Sequence, residues 1–272
     1  MIAAFASSVA AGFLGALLGL GGGIIVVPVL TLLLGLDIRY AIGASIVSVI
    51  ATSSAAGAAY VRDHLANVRV AMFLEVATTI GALGGAMLAG VLDPRWLYIV
   101  FGLVLGAVSL AMLRHSEEAH GAPSRRDPLS DRLKLGGRIH DPRTASMREY
   151  AVVRPRLGFG VSVVAGGLSG LLGVGGGVMK VPMMTLGMGM PMKAATATSN
   201  LMIGVTAAAS AGVYFSRGDI EPFVAGPVAV GILVGALTGA RTLGRIQSRA
   251  LRIAFTIVML VVAVQMLHKG LA

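Results

Sequence analysis

The sequence predicts an all-α polytopic membrane protein built from two inverted repeats. Their glycine-broken short helices or re-entrant hairpins meet near the bilayer midplane. Three observations carry this. The first is composition: of 272 residues 56% are hydrophobic and 12% charged, against roughly a quarter charged in an ordinary soluble domain. The second is length: apolar stretches near the roughly 20 residues that cross a bilayer recur along the chain. The third is a duplicated motif. GLGGGIIVVP from Gly19 to Pro28 returns as GVGGGVMKVP from Gly173 to Pro182.

Ten apolar elements follow in order. The first runs from Ile2 to Leu20, the second from Ile24 to Leu36, and the third from Tyr40 to Val61. The fourth covers Val70 to Leu92 and the fifth Trp96 to Leu113. After a polar stretch come Leu157 to Leu172, Val178 to Gly189, Ala194 to Phe215, Phe223 to Leu243 and Leu251 to Leu267. This divides the chain into a first transmembrane repeat (1–113), a polar cytoplasmic loop (114–156) and a second repeat (157–272). The second and seventh elements are too short to cross a hydrocarbon core of about 30 Å at 1.5 Å rise per residue. They read as half-helices or re-entrant segments. The N-terminus lacks a basic region before its apolar run and reads as a membrane element, not a cleaved signal.

The repeat is more than the glycines. At the same displacement Thr31, Ser45, Thr52 and Tyr60 meet Thr185, Ser199, Thr206 and Tyr214. With the N-terminus outside, the inner loops hold Arg62 and Arg69, ten basic residues from Arg114 to Arg156, Lys193, and Arg241, Arg245, Arg249 and Arg252. The outer loops hold Arg39, Arg95, Arg217 and Lys269. That is a positive-inside bias. Five elements per half is odd, so the halves have opposite orientation, which places a binding site at the repeat interface. The central stretch, with runs such as HGAPSRRDPLSDR, reads as a flexible cytoplasmic linker. A regulatory role or contact with anionic headgroups is its second reading.

The net charge of +10 raises nucleic acid as a partner. The basic residues sit in loops between apolar spans without interleaved aromatics, which argues against it. Cysteine is absent and the histidines form no spaced cluster, so no metal site or enzyme centre is expected, and no cofactor. The glycine runs lack the Lys-Ser/Thr of a phosphate loop.

Among ionisable residues only Lys180 and Glu75 lie well inside apolar elements, and such residues are functional candidates by default. Lys180 stands in the first turn after Gly177, where helix N–H groups are unpaired and the dipole is positive. The pairing makes sense around an anion. Lys180 has a second reading, snorkelling to the cytoplasmic side. Glu75 reads as reaching the interface or pairing with a nearby arginine, or else as a proton-coupling carboxylate. Backbone donors of Gly21, Gly22, Gly23, Gly175, Gly176 and Gly177 are candidates for oxyanion oxygens. Ser199 and Asn200 either bond a substrate or pack between helices. Met179, Met183, Met184, Met188, Met190 and Met192 form a thioether cluster, so a cation or metal transporter using Glu75 and these residues is the alternative reading. Lipid and a small anionic substrate are the expected partners, and a homo-oligomer is left open.

At GALLGLGGGIIVVPVL in the first half, and at GLSGLLGVGGGVMKVPMM and ATATSNLMIG in the second, the chain resembles the TauE/SafE family. The resemblance implies a secondary transporter in the cytoplasmic membrane. It would move small sulfur-containing anions (sulfite, sulfoacetate or related organosulfonates), typically outward.

Overall fold

In a computed structural model the described residues are 2–19, 21–114, 127–141, 146–243 and 248–271. Positions 115–126 and 142–145 of the central stretch lie outside them, as do Leu20 and, in the last basic cluster, Arg245. The first half comprises α1 (Ile2–Leu18), α2 (Gly23–Pro28), α3 (Ile38–Thr52), α4 (Ala58–Arg62), α5 (Val68–Ala89) and α6 (Pro94–Arg114). The polar stretch carries α7 (Pro128–Arg132), β1 (Gly137–Asp141) and β2 (Ser146–Tyr150). The second half comprises α8 (Pro155–Leu172), α9 (Gly177–Pro182), α10 (Met192–Ser216), α11 (Pro222–Leu243) and α12 (Ser248–Leu271). A helix covers each of the ten expected apolar elements. Among the described residues four helices are long and apolar enough to cross a membrane: Ile38–Arg62, Val68–Ala89, Pro155–Leu172 and Pro222–Thr242.

The two short helices stay short and share one irregularity. Each ends in a proline, Pro28 or Pro182, followed by a π-helical turn, Val29–Leu33 or Met183–Gly187. Proline lacks the N–H of an α-helical bond and its ring crowds the carbonyl one turn back. A threonine inside the π-helical turn bonds back to its start in both copies. Thr31 Oγ1 donates to the carbonyl of Val27 (2.9 Å), and Thr185 Oγ1 donates to that of Val181 (3.0 Å). The copies differ elsewhere: α3 and α4 are joined by a π-helical turn at Ser53–Gly57, whereas α10 runs unbroken.

Packing between the halves is reciprocal. α1 lies against α11 and α5 against α8, while α6 packs on α12. Glycines make the first two contacts close. A Cβ on Gly12 would meet the carbonyl of Ile232, and one on its counterpart Gly166 the carbonyl of Thr78. Gly235 and Gly81 do the same against Val9 and Val163. Small residues are what let helix backbones approach where lipid gives no hydrophobic drive between helices. Tyrosines tie each half internally: Tyr60 donates to the Ala16 carbonyl (3.0 Å) and Tyr214 to the Gly170 carbonyl (2.8 Å).

The described residues of the central stretch carry the short helix that such a linker allows and, beyond that expectation, seat apolar side chains on the bundle. Asp127 caps α7 by accepting from the N–H groups of Leu129 and Ser130, with Pro128 at the first helical position. β1 and β2 form an antiparallel hairpin with Ile139 opposite Arg148. Leu135, Ile139 and Val152 are buried with Val70, Leu74, Met183, Met184, Met188 and Met190. A few well-spaced apolar residues are enough to seat the segment. The composition, averaged over the stretch, hides them.

Candidate functional site

The glycine breaks are built from backbone that other residues rarely adopt. Gly19, Gly21 and Gly22 have φ of 74°, 70° and 76°, and Gly173, Gly175 and Gly176 have 69°, 72° and 72°. Side-chain-bearing residues strain there. Gly23 and Gly177 then open α2 and α9. The two breaks touch: a Cβ on Gly23 would lie 2.7 Å from the Gly173 carbonyl. Both pack on one matched pair of side chains, Val49 and Ile203, which face Gly21 and Gly175.

Serines lock the breaks across the halves. Ser45 Oγ donates to the Gly173 carbonyl (2.6 Å), and its counterpart Ser199 Oγ donates to the Gly19 carbonyl (2.8 Å). Asn200 Nδ2 donates to the Ala16 carbonyl (2.7 Å), and its buried Oδ1 has no hydrogen-bond partner. Ser199 and Asn200 therefore hold the backbone of the first break.

The reciprocity also fails around Lys180, and there the failure is one of charge. Lys180, on α9, is fully buried, and Glu75, on α5, is 9% exposed. Lys180 Nζ lies 3.8 Å from Glu75 Oε2. It donates to Thr206 Oγ1 (2.9 Å), which in turn donates to Glu75 Oε1 (2.6 Å). Thr79 also donates to Oε1 (3.4 Å), and Thr78 Oγ1 lies 3.4 Å from Thr206 Oγ1. The matched positions in the other half are Val26, Ala229 and Ile232. There Thr52, the counterpart of Thr206, donates to the Gly21 carbonyl (3.1 Å). Of the two matched seams between the halves, one is thus apolar and the other holds a buried ion pair bridged by a hydroxyl.

Two of the alternative readings fall away. Lys180 does not snorkel, because its amino group is held between Thr206 and Glu75. Glu75 does not pair with an arginine: its cationic partner is Lys180, supplied by the other half. A third residue was missed. Thr206 stands seven residues after Ser199, two helical turns on and therefore on the same face. That spacing was the available signal. Asn67 was missed too. It caps α5 through Val70 N–H (3.1 Å) and donates through Nδ2 to the Leu135 carbonyl (2.8 Å) and Tyr150 Oη (3.0 Å). Thr198 Oγ1 accepts from the backbone N–H of Asn67 (2.9 Å). Asn67 so joins the hairpin to the helices that carry Glu75 and Thr206. Of the methionine cluster, Met183, Met184, Met188 and Met190 fill the core beneath that hairpin.

A helical, multi-pass membrane protein with a buried charge pair between a glycine-broken helix and a full-length one belongs to the class of membrane transporters. The family model for the sulfite exporter TauE/SafE matches residues 4–266, and the chain belongs to that family. It is a family of membrane transporters and not of enzymes. The chain is 25% identical over 268 residues to YunE of Bacillus subtilis, described as a probable membrane transporter protein, covering 96% of this chain and 95% of that one. It is 29% identical over 194 residues to a probable membrane transporter protein of Xylella fastidiosa, covering 71% and 66% respectively. No solved structure matches the chain significantly.

Proposed function

We propose that this transporter exports small sulfur-containing anions, sulfite or organosulfonates, across the cytoplasmic membrane by alternating access. The observation that carries the proposal is Lys180. A lysine with no exposed surface sits one turn past a glycine break, at a position where the other repeat has Val26. A buried cation needs a counter-charge. Glu75 supplies it in this state, and an anionic substrate supplies it in the loaded one. Gly21 to Gly23 and Gly175 to Gly177 are the backbone surface against which oxyanion oxygens would rest. Ser199 and Asn200 keep the first break in shape. Glu75 is the coupling group, since proton uptake there releases Lys180 for the substrate.

The same proposal sets the topology: N-terminus outside, central loop cytoplasmic, and the halves related as inverted repeats that move against each other around the site. The charge bias of the loops and the reciprocal packing of α1 on α11 and α8 on α5 support it.

The test is stabilisation of the purified protein by sulfite, methanesulfonate, taurine, sulfate and copper, in wild type and Lys180→Ala. A ligand that binds only the folded state raises its stability. Stabilisation by sulfite or methanesulfonate that disappears in Lys180→Ala is the expected result. Stabilisation by copper alone would favour the cation reading and sink this one.

A further inference from the structure

We infer that the site takes singly charged anions, each together with one proton, so that the loaded and empty forms that cross between states are both neutral. The inference rests on the anion-site reading above and deepens it by naming the charge class of the substrate and its coupling.

The argument is a charge count in a dry site. Lys180 and Glu75 face each other at 3.8 Å, bridged by Thr206. Empty, the pair sums to zero. An anion that takes Lys180 while Glu75 stays ionised leaves one negative charge unbalanced. A proton on Glu75 without an anion leaves one positive charge unbalanced. Both are disfavoured where water is excluded. Protonated Glu75 with a monoanion on Lys180 sums to zero again. The proton enters from solvent onto Glu75 when the anion binds and leaves to solvent when the anion departs, so the two move in the same direction. A dianion would leave the loaded form charged. Hydrogensulfite and monosulfonates fit; sulfate and doubly ionised sulfoacetate do not.

Thr206 is the positioning residue of this exchange. Its one hydroxyl proton points at Glu75 Oε1 while Glu75 is a carboxylate. A protonated Glu75 donates for itself, and the Thr206 proton turns to the incoming anion. Thr52 has no such role: its hydroxyl bonds the Gly21 and Ser48 carbonyls, and the positions that match Lys180 and Glu75 are Val26 and Ala229.

Among the described residues, the other charges on α5, α8 and α10 do not supply the balance. Lys193, at the start of α10, stands 13 residues before Thr206, about 20 Å along the helix. Arg217, beyond the other end of α10, is about 16 Å away by the same measure, and Arg156 at the start of α8 about 15 Å from Gly166, which faces Thr78. Arg69, about 9 Å along α5 from Glu75, donates to the Lys134 carbonyl. The hairpin's Arg138 and Glu149 pair with each other.

Neutral cargo gives a definite energetics. The membrane potential does no work on it. Outward flux runs when the outward anion gradient exceeds the inward proton gradient, so the protein acts as a relief valve for an anion that accumulates inside.

The experiment uses the full chain in proteoliposomes with an internal pH dye, potassium and valinomycin to set the potential, and methanesulfonate, sulfate and sulfoacetate as probes. Wild type is expected to move one proton with each methanesulfonate. Its rate should change less than about twofold with imposed potential, and it should move sulfate and sulfoacetate at least about tenfold more slowly at pH 8. Glu75→Gln, a fixed mimic of the protonated acid, is expected to keep methanesulfonate–methanesulfonate exchange and lose proton-linked net flux. Methanesulfonate flux that follows the potential and carries no proton, with binding still lost in Lys180→Ala, would overturn this inference and leave the anion site standing. Methanesulfonate binding and flux undiminished in Lys180→Ala would instead overturn the anion site itself. The wild-type proton count and potential dependence decide the matter even if Glu75→Gln does not fold.

Discussion

Glu75→Ala is the most informative single change for stability. It deletes the counter-charge of a lysine that has no exposed surface and whose other partner, Thr206, is neutral. At 3.8 Å separation and an effective dielectric of about 20, the lost attraction is about 4 kcal/mol. Breaking a buried pair by removing one member costs about 3–5 kcal/mol, because the remaining charge is left uncompensated. The lysine is wholly buried, so solvent screening gives little discount. Removing both charges with matched apolar side chains, Glu75→Leu with Lys180→Met, should cost far less, about 1 kcal/mol or nothing. The assay is unfolding in mixed micelles on titration with dodecyl sulfate, followed by circular dichroism, for wild type, Glu75→Ala, Glu75→Leu, Lys180→Met and the double variant. A Glu75→Ala protein within about 0.5 kcal/mol of wild type would refute the buried-pair reasoning. So would a double variant whose loss equals the sum of the single losses, which would mean that the two residues are not coupled.

Three further outcomes follow from the same geometry. Gly166→Ala should destabilise by about 1–3 kcal/mol, because its Cβ would run into the Thr78 carbonyl. Gly84→Ala, with nothing within 4 Å of the added carbon, should be neutral or stabilise by up to about 1 kcal/mol; equal losses at both sites, measured by the same titration, would contradict the packing of α5 on α8. Thr206→Val removes a hydroxyl bonded to two charged groups and should cost about 1.5–3 kcal/mol, against about 1 kcal/mol for Thr52→Val, which loses bonds to carbonyls. Asn67→Ala should release the hairpin, read as faster tryptic cleavage after Lys134 and Arg138. Burial raises the pKa of the Tyr150 phenol above its ordinary 10.0, so its contribution to seating the hairpin is complete below that pH. It should fade as pH climbs past the ordinary value toward the raised one, with cleavage accelerating over that window.

The legible part of the site was its most unusual residue types. Lys180 stood out because a charge in an apolar run is costly and rare, and Glu75 for the same reason. Their partnership was not legible. They lie 105 positions apart in different halves, and nothing local in either stretch specifies the other. Arg69, only six residues from Glu75, was the natural partner by proximity in sequence. It lies near the helix start, where its guanidinium reaches the Lys134 carbonyl instead. Thr206 looked like one more packing hydroxyl until the structure placed it between two charges.

The chain's sequence by itself determined the class, the ten apolar elements, the duplication and the positions of the glycine breaks. Each of these is a local property: apolar run length, backbone freedom at glycine, and self-similarity at a fixed displacement. Only the tertiary structure decided what the breaks rest on, that Ser45 and Ser199 exchange bonds with the opposite break, and that one seam between the halves closes over Val26 while the matched seam closes over an ion pair. It also decided that a strongly polar stretch seats Leu135, Ile139 and Val152 against Met184 and Met188. These depend on which surfaces meet in space, and a carboxylate's partner is set by the electrostatics of a shared buried volume that no single segment encodes.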